Sequence, residues 1–158
     1  MYATRVTRHV SAPPEAVYRA LLDPDALAAW RVPAGMTARV HAFEAREGGE
    51  FRISLTYDDA SGAGKSGEHT DTYRGHFARL VPDALVVEVF AFESLDAALR
   101  STMTLTTKLT ASGDGTDVEM LHEGVPDAVP REDNELGTRT ALDNLARLVG
   151  EGRSPEAE

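Results

Sequence analysis

The chain has no cysteine, one tryptophan in 158 residues, aromatic side chains at only 6%, and no apolar run near the length of a bilayer. Each shortage excludes something. Without cysteine there is no disulfide framework, no thiolate metal site and no cysteine nucleophile. No segment is expected to cross a membrane, and the opening "MYATRVTRHVSAPP" carries no stretch like a signal peptide, so a cytoplasmic protein without membrane insertion is the expectation. Positive charge is scarce too. Sixteen Lys and Arg stand against 26 Asp and Glu, a formal charge of -10, which repels phosphate backbones and anionic lipid. Nucleic acid is therefore not an expected partner.

What is present is core material, 42% apolar residues in a length that suits one domain. Folding at this size buries roughly two-thirds of the unfolded surface. Residues 3 to 10 read as a strand, ended by Pro13 and Pro14. Pro14 and Pro24 each suit the first position of a short helix, the second one capped by Asp23 and closed by Val32-Pro33. Leu27 and Trp30 then share one helix face. From Thr37 the period becomes extended. Strands are predicted over 37–45, 51–57, 69–81, 85–92, 101–111 and around Val118–Glu123, with turns at Gly48-Gly49, Val81-Pro82-Asp83 and "SGDGT". The Gly/Ser-rich stretch 58–68 reads as a loop. A final helix from about Arg131 to Val149 carries Leu142, Leu145, Leu148 and Val149 as its buried stripe, with Gly150 as its stop.

Strand, two short helices, six strands and a long amphipathic helix make an α+β fold. About seven antiparallel strands curve around the C-terminal helix, which alone is long enough to cover them. A curved sheet and one helix do not meet everywhere, and the gap between them is a natural cavity. The blocks "SAPPEAVYRALLDPDALAAW", "AREGGEFRISL", "YRGHFARLVPDALVVEVF", "GTDVEMLHEGVP" and "GTRTALDNLARLV" together resemble the SRPBCC (START-like, helix-grip) superfamily. Within it they are most similar to the branch named after activators of the heat-shock-protein-ninety ATPase. The resemblance runs over about residues 5 to 150 and implies one domain over 1–150, with 151–158 as a frayed tail. Two positions depart from it. Arg31 replaces a second aromatic after the tryptophan, and Gly137-Thr138 replaces a Gly-Trp pair opening the last helix.

Trp30, Phe51, Ile53, Tyr57, Tyr73, Met103, Leu105, Met120, His122 and Leu142 are the residues this arrangement points toward the cavity. Trp30 either caps the cavity or anchors the helical pair to the sheet. His122 shares a strand face with Val118 and Met120, so its imidazole orients a guest, acts as a base, or is an ordinary core histidine. No catalytic set can be assembled around it from sequence. His69 and Asp71 point one way on an unbroken strand and His76 the other, which argues against a metal site. Glu44, Glu47 and Glu50 flank a hairpin, where solvated charge is usual, and "GAGKSG" lacks the spacing of a phosphate loop. No cofactor or metal is expected. The leading expectation is non-enzymatic binding of a lipid-like, isoprenoid or aromatic molecule in the cavity. A polyketide cyclase or aromatase using the same cavity is one alternative, and a chaperone ATPase co-regulator, implied only by the branch name, is another. A homodimer is compatible with so compact a domain; a chaperone partner is not favoured.

Overall fold

The computed structural model describes residues 1–33, 35–58 and 70–151. Strand β1 (Tyr2–Val10) leads into helices α1 (Pro14–Leu21) and α2 (Pro24–Trp30), followed by β2 (Met36–Phe43), β3 (Glu50–Tyr57), β4 (Thr70–Val81) and β5 (Leu85–Phe92). A short 3-10 turn (Ala97–Leu99), β6 (Met103–Ser112), β7 (Gly115–Val125) and helix α3 (Arg131–Glu151) complete the order. All seven strands form one antiparallel sheet in the order β1-β7-β6-β5-β4-β3-β2. Among the described residues no helix is long and apolar enough to cross a membrane.

Register decides which side chains meet. Phe51 lies opposite Gly75, Gly75 opposite Phe90, and Phe90 opposite Met103. Glu88 lies opposite Leu105, Leu105 opposite His122, and His122 opposite Thr4. Directly opposed residues share a face, so both rows point into the concave side. Irregular pairing in β1, β2 and β4 bends the sheet toward that side. Gly75 is required within the first row. A Cβ there would stand 2.0 Å from the Val89 carbonyl and 2.6 Å from the Phe90 Cβ. Its bare backbone lets β5 close up and the Phe51 and Phe90 rings approach to 6.4 Å.

The β4–β5 turn is tight. The Ala84 N–H donates to the Val81 carbonyl at 3.0 Å, and Asp83 has φ of 63°. That is the left-handed conformation a type II turn demands at its third position and glycine adopts freely. Asp83→Gly is expected to raise stability by about 0.5 kcal/mol and Asp83→Val to lower it by about 1 kcal/mol, read as shifts in the urea midpoint.

Both proline-led helices form where the sequence places them. Asp23 accepts hydrogen bonds from the Asp25 and Ala26 N–H groups, capping α2. Trp30, 1% exposed, donates its indole N–H to the Ala20 carbonyl of α1 at 3.0 Å. Asn144 of α3 donates to the Trp30 and Val32 carbonyls. The tryptophan therefore ties both short helices to the long one. Helix α3 lies against β1, α1 and α2 through Ala141, Leu142 and Leu145. The predicted stripe needs one correction: Leu148 is 38% exposed, at the rim of a surface concavity with Val32 and Met36, and Val149 is only half-buried against the core. The tail is predicted over 151–158, but α3 runs through Gly150 to Glu151; residues 152–158 lie outside the described residues.

Candidate functional site

Arg31 follows Trp30 at the C-terminus of α2, where its own N–H donates to the Leu27 carbonyl and holds the turn. From there its side chain enters the concave side instead of solvent, with 13% exposure against 8% for Glu88. Nη1 donates to Glu88 Oε1 at 2.5 Å. The guanidinium carbon lies 5.3 Å from the Tyr73 ring centre and 5.6 Å from that of Phe90. Attraction to those ring faces adds to the ion pair. Burial is the largest single influence and works against the arginine's charge, but the Glu88 carboxylate, the Tyr73 oxygen and the Glu88 hydrogen bond together hold the Arg31 pKa above the ordinary arginine value. A buried pair like this survives only because each charge has the other.

Phe90 is the floor of this polar centre. Its ring centre is 5.4 Å from that of Tyr73 on one side and 5.6 Å from that of His122 on the other. Burial first, and the Arg31 charge second, push the His122 pKa down to about 4, so the imidazole is neutral at pH 7. Its proton is assigned by a relay from β1 and α3. Thr4 Oγ1 donates to Asn134 Oδ1 at 2.5 Å, and the Asn134 NH2 faces His122 Nδ1 at 3.0 Å. With Nδ1 accepting, a neutral ring carries its hydrogen on Nε2. Nε2 is buried with no partner among the described residues, as is the Tyr73 hydroxyl, whose pKa burial raises.

A third buried polar atom, Thr107 Oγ1, also lacks a partner among the described residues. Thr107 is 1% exposed and sits opposite Val86 and Met120, one inward position deeper than Leu105 and away from Phe90. Thr107→Val keeps the shape and removes the unpaired hydroxyl. It is expected to stabilise the protein by about 1 kcal/mol in chemical denaturation.

The fold brings some of the sequence-predicted residues together. Tyr73 and His122 flank one ring, and Phe51 packs edge-on against Tyr73 at 6.2 Å. Met103 lies opposite Phe90, Leu105 between Glu88 and His122, and Met120 opposite Thr107. Ile53 faces the core at 1% exposure and Leu142 closes it from α3 at 0%. Trp30 spends its polar handle on α1, and Tyr57, half-buried, stands at the far end of β3 opposite Met36. Arg31 occupies the space beside Tyr73 where an open cavity was expected. Two surface concavities lie elsewhere: one is bounded by Tyr18, Leu22 and Asp83, the other by Val32, Met36, Asn144 and Leu148.

Other sequence features take structural places. Glu44 Oε1 accepts the Glu50 N–H at 3.0 Å and Glu47 Oε2 accepts the Leu80 N–H at 3.0 Å, so two of the three hairpin carboxylates brace backbone. Among the described residues no three metal-ligating side chains converge. His69 and "GAGKSG" lie outside the described residues.

A seven-stranded antiparallel sheet gripping a C-terminal helix, with two short helices after the first strand, is the helix-grip architecture of the SRPBCC, START-like superfamily. The chain belongs to the Activator of Hsp90 ATPase homolog 1-like family, whose model matches residues 11–150. A protein from Chromobacterium violaceum is similar at 35% identity, over 94% of this chain and 96% of that one, with a TM-score of 0.83. A Rhodobacter sphaeroides protein, 21% identical over 95% and 93% of the two chains with a TM-score of 0.78, shares the fold. So does an AHSA1-like protein from Aeromonas hydrophila, 19% identical over 95% and 93%, with a TM-score of 0.69. No curated protein matches the chain.

Proposed function

We propose that the protein binds a small, mainly apolar molecule between the sheet and α3 and does not itself transform it. The observation that carries this reading is a buried aromatic wall of Phe51, Tyr73 and Phe90 bearing two polar atoms without partners among the described residues, Tyr73 Oη and His122 Nε2. An unpaired buried polar atom costs about 1–3 kcal/mol, a penalty that a core built only for packing avoids with phenylalanine and leucine. Arg31 spans the interior from α2 to β5, so a guest shares the space beside Tyr73 with it. Native mass spectrometry of the protein purified from its own host tests the proposal. A co-purifying small molecule is the expected result. A bare polypeptide mass, with no thermal shift from an apolar extract of the same cells, would sink it.

The flanking of one ring by a neutral imidazole and a phenol also favours a second reading, an enzyme of the polyketide cyclase or aromatase kind that orients its substrate with these groups. Turnover of an aromatic or polyketide-like compound, lost in His122→Ala while the fold persists, would select it over binding alone.

A further inference from the structure

The polar centre has a definite hydrogen-bonding sign. The Thr4–Asn134 relay leaves His122 Nε2 as an N–H donor, and Tyr73 Oη is a second donor across the same Phe90 ring. Both are buried without an acceptor among the described residues, Tyr73 at 4% exposure. The Glu88 carboxylate is already engaged by Arg31. A guest that completes this site brings an acceptor.

Charge narrows the class further. Arg31 and Glu88 balance one another, so the centre is neutral as it stands. A guest carboxylate would compete with Glu88 and leave two buried anions around one guanidinium, while a guest ammonium would stand beside the Arg31 charge. An uncharged acceptor meets neither penalty. We propose that the site takes an uncharged carbonyl compound, its oxygen accepting from the Tyr73 hydroxyl or from His122 Nε2–H and its apolar body lying on Phe90 and Phe51. This rests on the small-molecule reading above and gives it a ligand class, a ketone, ester or amide on an apolar frame.

Three probes of one shape separate the possibilities: 2-acetylnaphthalene, 2-ethylnaphthalene and 2-naphthoate, titrated calorimetrically into the full chain at pH 7. The ketone is expected to bind about tenfold tighter than the hydrocarbon, the effect of one or two neutral hydrogen bonds, with the carboxylate weakest. Tyr73→Phe, which preserves the ring, should cut the ketone-to-hydrocarbon ratio to about threefold. The infrared carbonyl stretch of the bound ketone should rise in that variant, a readout that a packing role would leave still. Nitrogen shifts of the His122 ring should report the Nε2–H form.

Equal affinity for ketone and hydrocarbon would overturn the carbonyl site and leave apolar binding intact. Tightest binding of naphthoate, or a ring protonated on Nδ1 alone, would overturn it as well. Binding of none of the three removes both this proposal and the reading beneath it.

Discussion

Glu88→Ala is expected to lower folding stability by about 3–5 kcal/mol, because it strands the Arg31 guanidinium inside the sheet with no counter-charge. The magnitude follows from burial, since neither partner exceeds 13% exposure and their contact is direct. An exposed ion pair would be worth under about 1 kcal/mol. Removing both charges together should behave differently. Arg31→Met with Glu88→Leu replaces the pair by apolar groups of similar volume over Tyr73 and Phe90, and most of the lost stability should return. Urea unfolding of the single and double variants checks the cycle. A loss below about 1 kcal/mol in Glu88→Ala would mean that Arg31 swings into solvent when released, and that the polar centre is not locked.

Why this pair escaped a reading of the sequence is a matter of periodicity. In β3 apolar and polar residues alternate, so Phe51 and Ile53 announce the inner face without help. In β5, "LVVEVFAF", both faces are apolar, and the parity of Glu88 is undefined until β4 supplies a register through Gly75 and Phe90. Sequence did mark position 31 as an arginine where bulk was expected. What it lacked was the partner, 57 positions away.

The architecture was legible for a related reason. Helix starts are set locally by Pro14, Asp23 and Pro24, and strand ends by Gly48-Gly49 and Pro82, so element order needs no tertiary knowledge. Contacts that give the site its chemistry are not local. Thr4 and Asn134 stand 130 positions apart, and nothing in either neighbourhood marks them as the groups that fix the His122 tautomer. Leu148 shows the converse error: helical spacing put it on the buried stripe, but it stands at the rim of a surface concavity that no neighbouring element fills.

Stability between pH 7 and pH 5 should fall by about 2 kcal/mol through His122 alone. Its folded pKa, about 4, lies below the value of 6.5 for a free imidazole, so between those values the unfolded chain binds a proton that the folded chain refuses. The stabilisation is complete above the unfolded pKa and is lost as pH drops toward about 4, which is the opposite of a histidine that gains an anionic partner on folding. Two ion-paired or hydrogen-bonded carboxylates act below this range. The Arg52 hydrogen bond holds the Glu93 pKa beneath the ordinary 4.5, and the Glu50 N–H does the same for Glu44, so their stabilising effects fade only under about pH 4.5. The other histidines share this interval, so the difference between wild type and His122→Phe isolates this imidazole: the variant should lose that part of the slope. Removing the ion pair supplies a second control. Burial is the larger cause of the shift and the Arg31 charge the smaller, so in the Arg31→Met, Glu88→Leu protein the slope should shrink yet persist. A slope unchanged in that double variant would show that the guanidinium does not act on the imidazole, and would separate two groups that the geometry joins across the Phe90 ring.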